Sequence, residues 1–436
     1  MSSTPSFLDE LRWRGLLHQT TSGEEQVHKH LTTPGRIAYA GFDPTRDSLT
    51  IGNLIAIKLL MHWQRAGHRP IVLMGGGTGL IGDPSGKDAE RQLLDRDQIE
   101  ANIAGQRRVF ERLLDFEGKG PNAAILVDNA DWLGKLGFIE VLRDIGKHFS
   151  VNAMIQKDSV RERLHHRDQG ISYTEFSYML LQAYDFLHLK RAHGCSVQLA
   201  GSDQFGNIVA GIDLIHHKLG RDTEAGEAYG VTAPLVTGAD GKKIGKTEKG
   251  AVWLTADRTS PYAFYQYWVN TDDADVIAFL KWFSFLQREA VEQLAAEHEQ
   301  APEQRLAQRA LAREMTALVH GKDELARVEA ASQALFGGDV RALDADMLSD
   351  VFADVPNSEH DKALLQDEGF ALVDLLPQTT LAQSKGQARQ FLQSGAIAVN
   401  GQRVAPEHRL TTRDLLHGAR ILIRRGKRQW HATHWV

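Results

Sequence analysis

Two lysines separated by two residues, in Lys243-Ile244-Gly245-Lys246-Thr247, are the side chains whose types and spacing point most directly to chemistry. The segment follows the turn pair Asp240-Gly241 and runs on through Glu248-Lys249-Gly250. Two ammonium groups on a glycine-bearing loop suit a polyphosphate; a plain solvated turn is the competing reading, because lysine-rich glycine loops are common. A second element far upstream shifts the balance. Tyr39-Ala40-Gly41-Phe42-Asp43-Pro44-Thr45, continued by Ser48-Leu49-Thr50-Ile51-Gly52-Asn53-Leu54, reads as a strand end, a glycine-bearing loop and a helix start. The unpaired amides of such a helix start suit an anion. Together the two elements suit an enzyme that grips ATP at both ends.

The chain that must position them has 436 residues, 42% hydrophobic and 24% charged, enough for two or three domains with large cores. Its net charge of −6 hides an asymmetry: residues 372–436 carry ten Lys/Arg against three Asp/Glu, a net of +7, which leaves −13 on residues 1–371. A basic end on an acidic body suits an RNA- or phosphate-binding appendage. Cys195 is the single cysteine, so no intrachain disulfide forms and a reducing compartment is expected. Met1 to Glu10 lacks the basic-then-apolar pattern of a signal peptide, and no apolar run reaches the length of a membrane span. The expectation is a soluble, cytoplasmic protein.

Residues 7–33 read as polar helix and turn. Ile37 to Phe42 and Pro70 to Gly75 read as buried strands, Gly52 to Ala66 as a helix with Leu54, Ile57, Lys58 and Met61 at helical spacing, and Ala123 to Val127 as a third strand. Strands alternating with helices, with glycines after the strands, predict a parallel α/β sheet whose ligands bind at the strands' carboxyl ends. Gly41-Phe42-Asp43 and the run Gly75–Asp83 fall there. Residues 255–335 read as charged helices, with Pro261 near a helix start, and 336–370 as a connector with some helix. Residues 371–436 read as a compact last unit: a helix over Ser384–Ser394, a strand–Asn400-Gly401–strand hairpin, and a strand at Ile421-Leu422-Ile423 followed by a basic run.

These pieces resemble the bacterial tyrosyl-tRNA synthetases, class I aminoacyl-tRNA synthetases, over nearly the whole chain. The resemblance rests on Gly41-Phe42-Asp43-Pro44-Thr45, Gly79-Leu80-Ile81-Gly82-Asp83-Pro84, Gly146 to Asn152, Thr174-Glu175-Phe176-Ser177-Tyr178, Gln182-Ala183-Tyr184-Asp185-Phe186, Gly201 to Asn207 and the lysine loop. It implies a Rossmann-like parallel-sheet catalytic domain over 1–230 with a dimer-forming insertion, a lysine-loop and α-helical anticodon-side domain over 231–335, a connector over 336–370, and a small α+β RNA-binding module of the ribosomal S-four type over 371–436. The activity implied is ATP-dependent activation of L-tyrosine to tyrosyl-adenylate, then transfer to tRNA(Tyr), by a homodimer with magnesium arriving on the nucleotide and no metal held by the protein. No protein nucleophile is needed, so catalysis rests on positioning and on stabilising charge at phosphate oxygens.

By that resemblance, Lys243 and Lys246 fold over the β- and γ-phosphates, helped by Thr247, Thr45, Asn53, Lys87 and Arg91. Gly41, Asp43, Gly52, Gly201, Asp203 and Lys246 form the ATP site. Tyr39 and Asp185 bind the tyrosine hydroxyl, Asp83, Tyr178 and Gln182 its ammonium, and Gln204 lies near its carboxylate. Lys385, Arg389, Arg403, Arg424, Arg425 and Arg428 are the candidate tRNA contacts. The chain departs from the family in one motif: where many members have two histidines, it has Thr50 and Asn53. Asn53 keeps a hydrogen-bond donor. Thr50 is shorter and uncharged, reads equally well as a helix cap, and is not counted as catalytic. Ala200 and Phe205, where many relatives have Gly and Trp, read as packing changes.

His165-His166 and His216-His217 lack further ligands at metal-site spacing and read as surface helix. Tryptophanyl-tRNA synthetases share the fold, but an indole offers no hydroxyl to Tyr39 and Asp185. A synthetase-like RNA-binding protein without activation is supported by Thr50 alone. A paralogue that stays active while excluding a tyrosine-like inhibitor is a further alternative.

Overall fold

Ile37-Ala38-Tyr39-Ala40 and Ile71-Val72-Leu73-Met74 show no polar alternation because both faces of their strands are covered, and all but Ile37 are buried. The computed structural model describes residues 6–83, 94–157, 160–161, 171–239, 241, 244–247, 250–336, 340–353, 355–426 and 429–436. Its contacts divide into two compact units: Met1–Thr259 with Trp268–Met315, and Ser260–Tyr267 with Thr316–Val436.

The first unit is built on a six-stranded sheet of β1 (Gln19–Thr20), β2 (Ile37–Phe42), β3 (Arg69–Met74), β4 (Ile125–Asp128), β5 (Val197–Gly201) and β6 (Tyr229–Ala233), in the order β1-β6-β5-β2-β3-β4. All neighbours are parallel except β1, which pairs antiparallel with β6 at Gln19↔Thr232. The chain steps outward from β2 to β3 and β4, then returns to the other side of β2 to lay down β5 and β6. Parallel sheets bind ligands where the winding reverses, so the crevice belongs at the carboxyl ends of β2 and β5. There Tyr39 sits level with both Ile71 and Gln198.

The expected helix is Leu54–Arg65. Its apolar face is buried, and Lys58 is buried with it, its Nζ 2.8 Å from the centroid of the Phe285 ring. The helix Tyr173–His193 starts at Ser172, whose side chain accepts from Glu175 N, and stops at Gly194, whose left-handed φ of 70° suits glycine. It carries Tyr178, Gln182 and Asp185 to the sheet. It packs with the helix Phe205–Leu219 around Met179, Ala183, Phe186, Ile208 and Ile212. Cys195 is fully buried in the same core, and burial pushes its thiol up to about 12. A two-stranded hairpin, β7 (Lys246–Thr247) and β8 (Gly250–Ala251), returns the lysine segment.

The second unit contains β9 (Asn357–His360), β10 (Phe370–Ala371), β11 (Ile397–Val399), β12 (Gln402–Arg403), β13 (Arg409–Leu410), β14 (Arg420–Arg425) and β15 (Gln429–Trp435). Five of them form a sheet in the order β12-β11-β14-β15-β9. The hairpin at Asn400-Gly401 has left-handed φ at both positions, 49° and 86°, the geometry that an Asn-Gly pair favours. The Asn400 side chain is buried, donating to the Asp414 carbonyl and accepting from Leu422 N. The helix is Lys385–Gln393, with Ser384 Oγ accepting from Gln387 N. Strand β9 extends this sheet into the stretch read as a connector. Among the described residues, no helix is long and apolar enough to cross a membrane.

Candidate active site

A cavity of about 590 Å³ opens at the carboxyl ends of β2 and β5. Its lining brings together Tyr39, Gly41, Asp43, Thr45, Gly52, Asn53, Asp83, Tyr178, Gln182, Asp185, Gly201, Asp203 and Gln204 from the sequence-derived set. Of the remainder, Lys87, Arg91, Lys243 and Arg428 lie outside the described residues, as do His165 and His166. For Lys246 and Thr247 only the β7 backbone is described. His217 stacks on His148 at 5.0 Å between ring centroids.

The apolar end of the cavity closes on Asp185. Its side chain is buried, with Oδ1 accepting from Trp132 Nε1 at 2.7 Å and Oδ2 from Asn129 Nδ2 at 2.9 Å. Burial pushes the carboxyl up to about 7, against the opposing pull of those two donors. The Tyr39 hydroxyl is also buried, and it has no hydrogen-bond partner among the described residues. Burial first, then the Asp185 charge, holds its phenol well above the usual tyrosine range. An orphaned buried hydroxyl facing a buried carboxylate is costly unless a ligand completes it.

A chain of polar contacts runs from Asp185 toward the loop after β2. Asn129 Nδ2 also donates to Thr78 Oγ1 at 3.0 Å; Thr78 donates to Asp43 Oδ1 at 2.9 Å, and the Tyr178 hydroxyl donates to Asp43 Oδ2 at 3.1 Å. Burial and the charges of Asp43, Asp83 and Asp185 keep Tyr178 protonated, well above the usual range. Asn129 Oδ1 accepts from Gly77 N at 2.7 Å, and Asp128 Oδ1 accepts from Gly76 N and Ala130 N. Close approach of these carboxylates explains the glycine run: a Cβ on Gly75 would lie 2.3 Å from Asp43 Oδ1, and one on Gly76 2.3 Å from Asp128 Oδ1.

On the other wall, Gln204 Nε2 donates to Asp83 Oδ2 at 2.9 Å, Gln182 Nε2 donates to Gln204 Oε1 at 3.2 Å, and Asn207 Nδ2 donates to Gln182 Oε1 at 2.9 Å. The loop after β2 is held from behind by the helix Arg96–Leu113. Asn102 Nδ2 donates to the Pro44 carbonyl at 2.8 Å and Gln106 Nε2 to that of Arg46 at 2.9 Å. The lysine segment meets the first motif through its backbone: Ile51 N donates to Val252 O at 3.1 Å, and Val252 N to Gly245 O at 2.9 Å.

Sequence reasoning assigned no role to Asn129, Trp132, Thr78, Asn207, Asn102 or Gln106. Asp128-Asn129 closes β4, and the carboxyl end of a parallel strand is a signal that could have found Asn129. The docking residues on the helix Arg96–Leu113 carry no such signal.

In the second unit Lys385, Arg389 and Arg403 are exposed, and Lys385 Nζ pairs with Asp374 Oδ1 at 2.5 Å. Arg424 and Arg425 are half-buried, over the rings of Trp430 and Phe391. Among the described residues, no group of three or more His, Cys, Asp or Glu side chains could hold a metal ion.

Residues 33–337 match the family described as tRNA synthetases class I (W and Y), and residues 347–433 match the tyrosine–tRNA ligase SYY-like C-terminal domain. The chain is 49% identical over 433 residues to the tyrosine–tRNA ligase of Roseiflexus castenholzii, covering 99% of this chain and 100% of that one. It is 50% identical over 430 residues to that of Geobacillus kaustophilus, covering 98% and 99%. A C-terminally truncated mitochondrial tyrosyl-tRNA synthetase of Aspergillus nidulans superposes with a TM-score of 0.69 at 31% identity, covering 77% of this chain and 95% of that one. A winding reversal with a carboxylate-ended cavity, joined to two successive family matches that span the two units, places the chain in the tyrosine–tRNA ligase family of class I tRNA synthetases.

Proposed function

We propose that this chain activates L-tyrosine with ATP and charges tRNA(Tyr). A tyrosine carboxylate oxygen attacks the α-phosphorus, the bond to the bridging oxygen breaks, and pyrophosphate leaves. A hydroxyl of the terminal tRNA ribose then attacks the carbonyl carbon and AMP leaves. The observation that carries the tyrosine assignment is the pairing of the orphaned Tyr39 hydroxyl with the buried Asp185 carboxyl. A phenol entering there donates to Asp185 and meets Tyr39; phenylalanine leaves both incomplete, a selectivity rule for which tyrosyl-tRNA synthetases are a standing example.

Asp83, Tyr178 and Gln182 offer acceptors for the substrate ammonium, and Gln204 is hydrogen-bonded to Asp83 and Gln182. Gly41, Asp43, Thr45, Gly52, Asn53, Gly201 and Asp203 surround the place for ATP, which brings magnesium with it. Lys243, Lys246 and Thr247, with Lys87 and Arg91, would meet the phosphates. Residues 1–230 are read as the catalytic domain and 371–436 as the RNA-binding module, where Lys385, Arg389, Arg403, Arg424, Arg425 and Arg428 would meet the tRNA. Exposed Phe138, Ile139, Leu142, Val151 and Tyr173 support a homodimer, since large apolar side chains at such exposure suit a second copy. The working compartment proposed is the cytoplasm.

The test is tyrosine-dependent exchange of labelled pyrophosphate into ATP, with phenylalanine and tryptophan as controls. Exchange with tyrosine alone is expected; folded protein that binds tRNA yet gives no exchange overturns the reading. Asp185→Ala is expected to abolish the preference for tyrosine over phenylalanine, and unchanged discrimination would remove Asp185 from that role.

A further inference from the structure

We propose that Thr50 is a positioning residue that fixes the side-chain amide of Asn53 so that Nδ2 faces the nucleotide. Thr50 N and Thr50 Oγ1 both donate to Asn53 Oδ1, at 2.9 Å and 3.0 Å. An asparagine amide has two ends of nearly the same shape, and its partners decide which way it lies. Here two donors converge on one atom. The reversed amide would set its NH2 group against the Thr50 N–H, which cannot accept, so the backbone donor selects the oxygen and the hydroxyl, as a second donor on the same atom, holds it in place. Nδ2 is thereby turned to the other side, where it has no hydrogen-bond partner among the described residues and Asn53 lines the cavity. A fixed, unpaired amide donor suits an acceptor oxygen, as a phosphate or a ribose supplies.

The backbone at Thr50 is itself held. Thr50 bridges antiparallel to Trp253, and the next residue, Ile51, donates to Val252 O. Gly245, in the lysine segment, lies so close that a Cβ there would come within 3.0 Å of Ile51 Cβ. The donor pair on Asn53 is thus anchored to the base of the hairpin that returns the lysine segment.

This inference rests on the reading of the cavity as an ATP site, and the experiment separates the two. Thr50→Val keeps the β-branched shape and removes the hydroxyl; Thr50→Ser keeps the donor. Single-turnover adenylate formation and equilibrium titration with tyrosine are measured for both, and again with Asn53→Ala. Thr50→Val is expected to slow adenylate formation roughly 3- to 10-fold, the worth of one hydrogen bond, with tyrosine affinity unchanged and Thr50→Ser close to the parent. In the Asn53→Ala background, Thr50→Val should add nothing. A full-activity Thr50→Val protein, or an equal loss in both backgrounds, overturns the inference while leaving the ATP site intact. A parent protein that binds tyrosine but forms no adenylate overturns the ATP reading, and this inference falls with it.

Discussion

Asn129 donates to Asp185 at 2.9 Å from a different layer of the fold: one closes a strand of the sheet, the other projects from a helix that covers it. With Trp132 on the second oxygen, both carboxylate oxygens are held while the group stays away from water. These two donors fix the carboxylate without any ligand, which is the form preorganised recognition takes.

The first prediction concerns pH. Asp185 is pushed up to about 7, from a usual value of 3.8. Its carboxylate form accepts a phenol O–H, so tyrosine affinity should fall by up to about tenfold per pH unit below about 7. Because the folded-state pKa is raised, this group favours the fold at low pH, and that contribution is lost as pH rises from about 4 to about 7. Equilibrium titration with tyrosine from pH 5.5 to 8.5 checks the first effect, and Asp185→Asn should erase the inflection.

The second concerns the loop after β2. A Cβ on Gly105 would lie 2.0 Å from the Asp47 carbonyl oxygen. Gly105→Ala should push this loop from its seat and raise the KM for ATP roughly 10-fold, in line with the cost of overpacking. Tyrosine affinity should not change. An ATP KM equal to the parent's would show that the loop does not depend on this seat.

The third concerns stability. Lys58 Nζ is buried without a hydrogen-bond partner among the described residues, and burial holds its pKa well below the usual lysine value of 10.5. Unfolding lets the amine take up a proton, so this residue weakens the fold increasingly as pH drops below about 10. Lys58→Met, of similar shape, should stabilise by about 1–3 kcal/mol at neutral pH, with the gain shrinking at pH 10. Thermal melts at the two pH values read this directly.

The fourth concerns the lysine loop. Lys246→Ala should slow adenylate formation roughly 100-fold, the scale of a lost transition-state donor, and leave tyrosine affinity within about twofold. Equal losses in single-turnover rate and in tyrosine affinity would refute a role confined to the transition state.

Much of this was legible in the residues. The unbroken apolar runs at Ile37–Phe42 and Ile71–Met74 announced buried parallel strands, and Asn400-Gly401 announced its hairpin, because each signal is local. The strands β5, β6 and β15 were not singled out; β5 mixes Gln198 and Gly201 with apolar residues, and its character comes from where the sheet places it. Tyr39 and Asp185 stood out through family resemblance, but their setting did not. Asn129 and Trp132 reach Asp185 only through a crossover of the chain, which no spacing rule describes. Lys58 fell at a helical spacing shared with apolar residues, and that spacing, more than its charge, foretold its burial.

Cys195 gives the first unit an internal clock. The only thiol of the chain sits in the core beside the helix that carries Asp185, out of water and disinclined to ionise. A thiol reagent can reach it only when that core opens, so its labelling rate counts openings of the region that holds Tyr39 and Asp185. Tyrosine should slow the labelling in proportion to its occupancy, which turns one silent side chain into a measure of how tightly substrate holds the fold together.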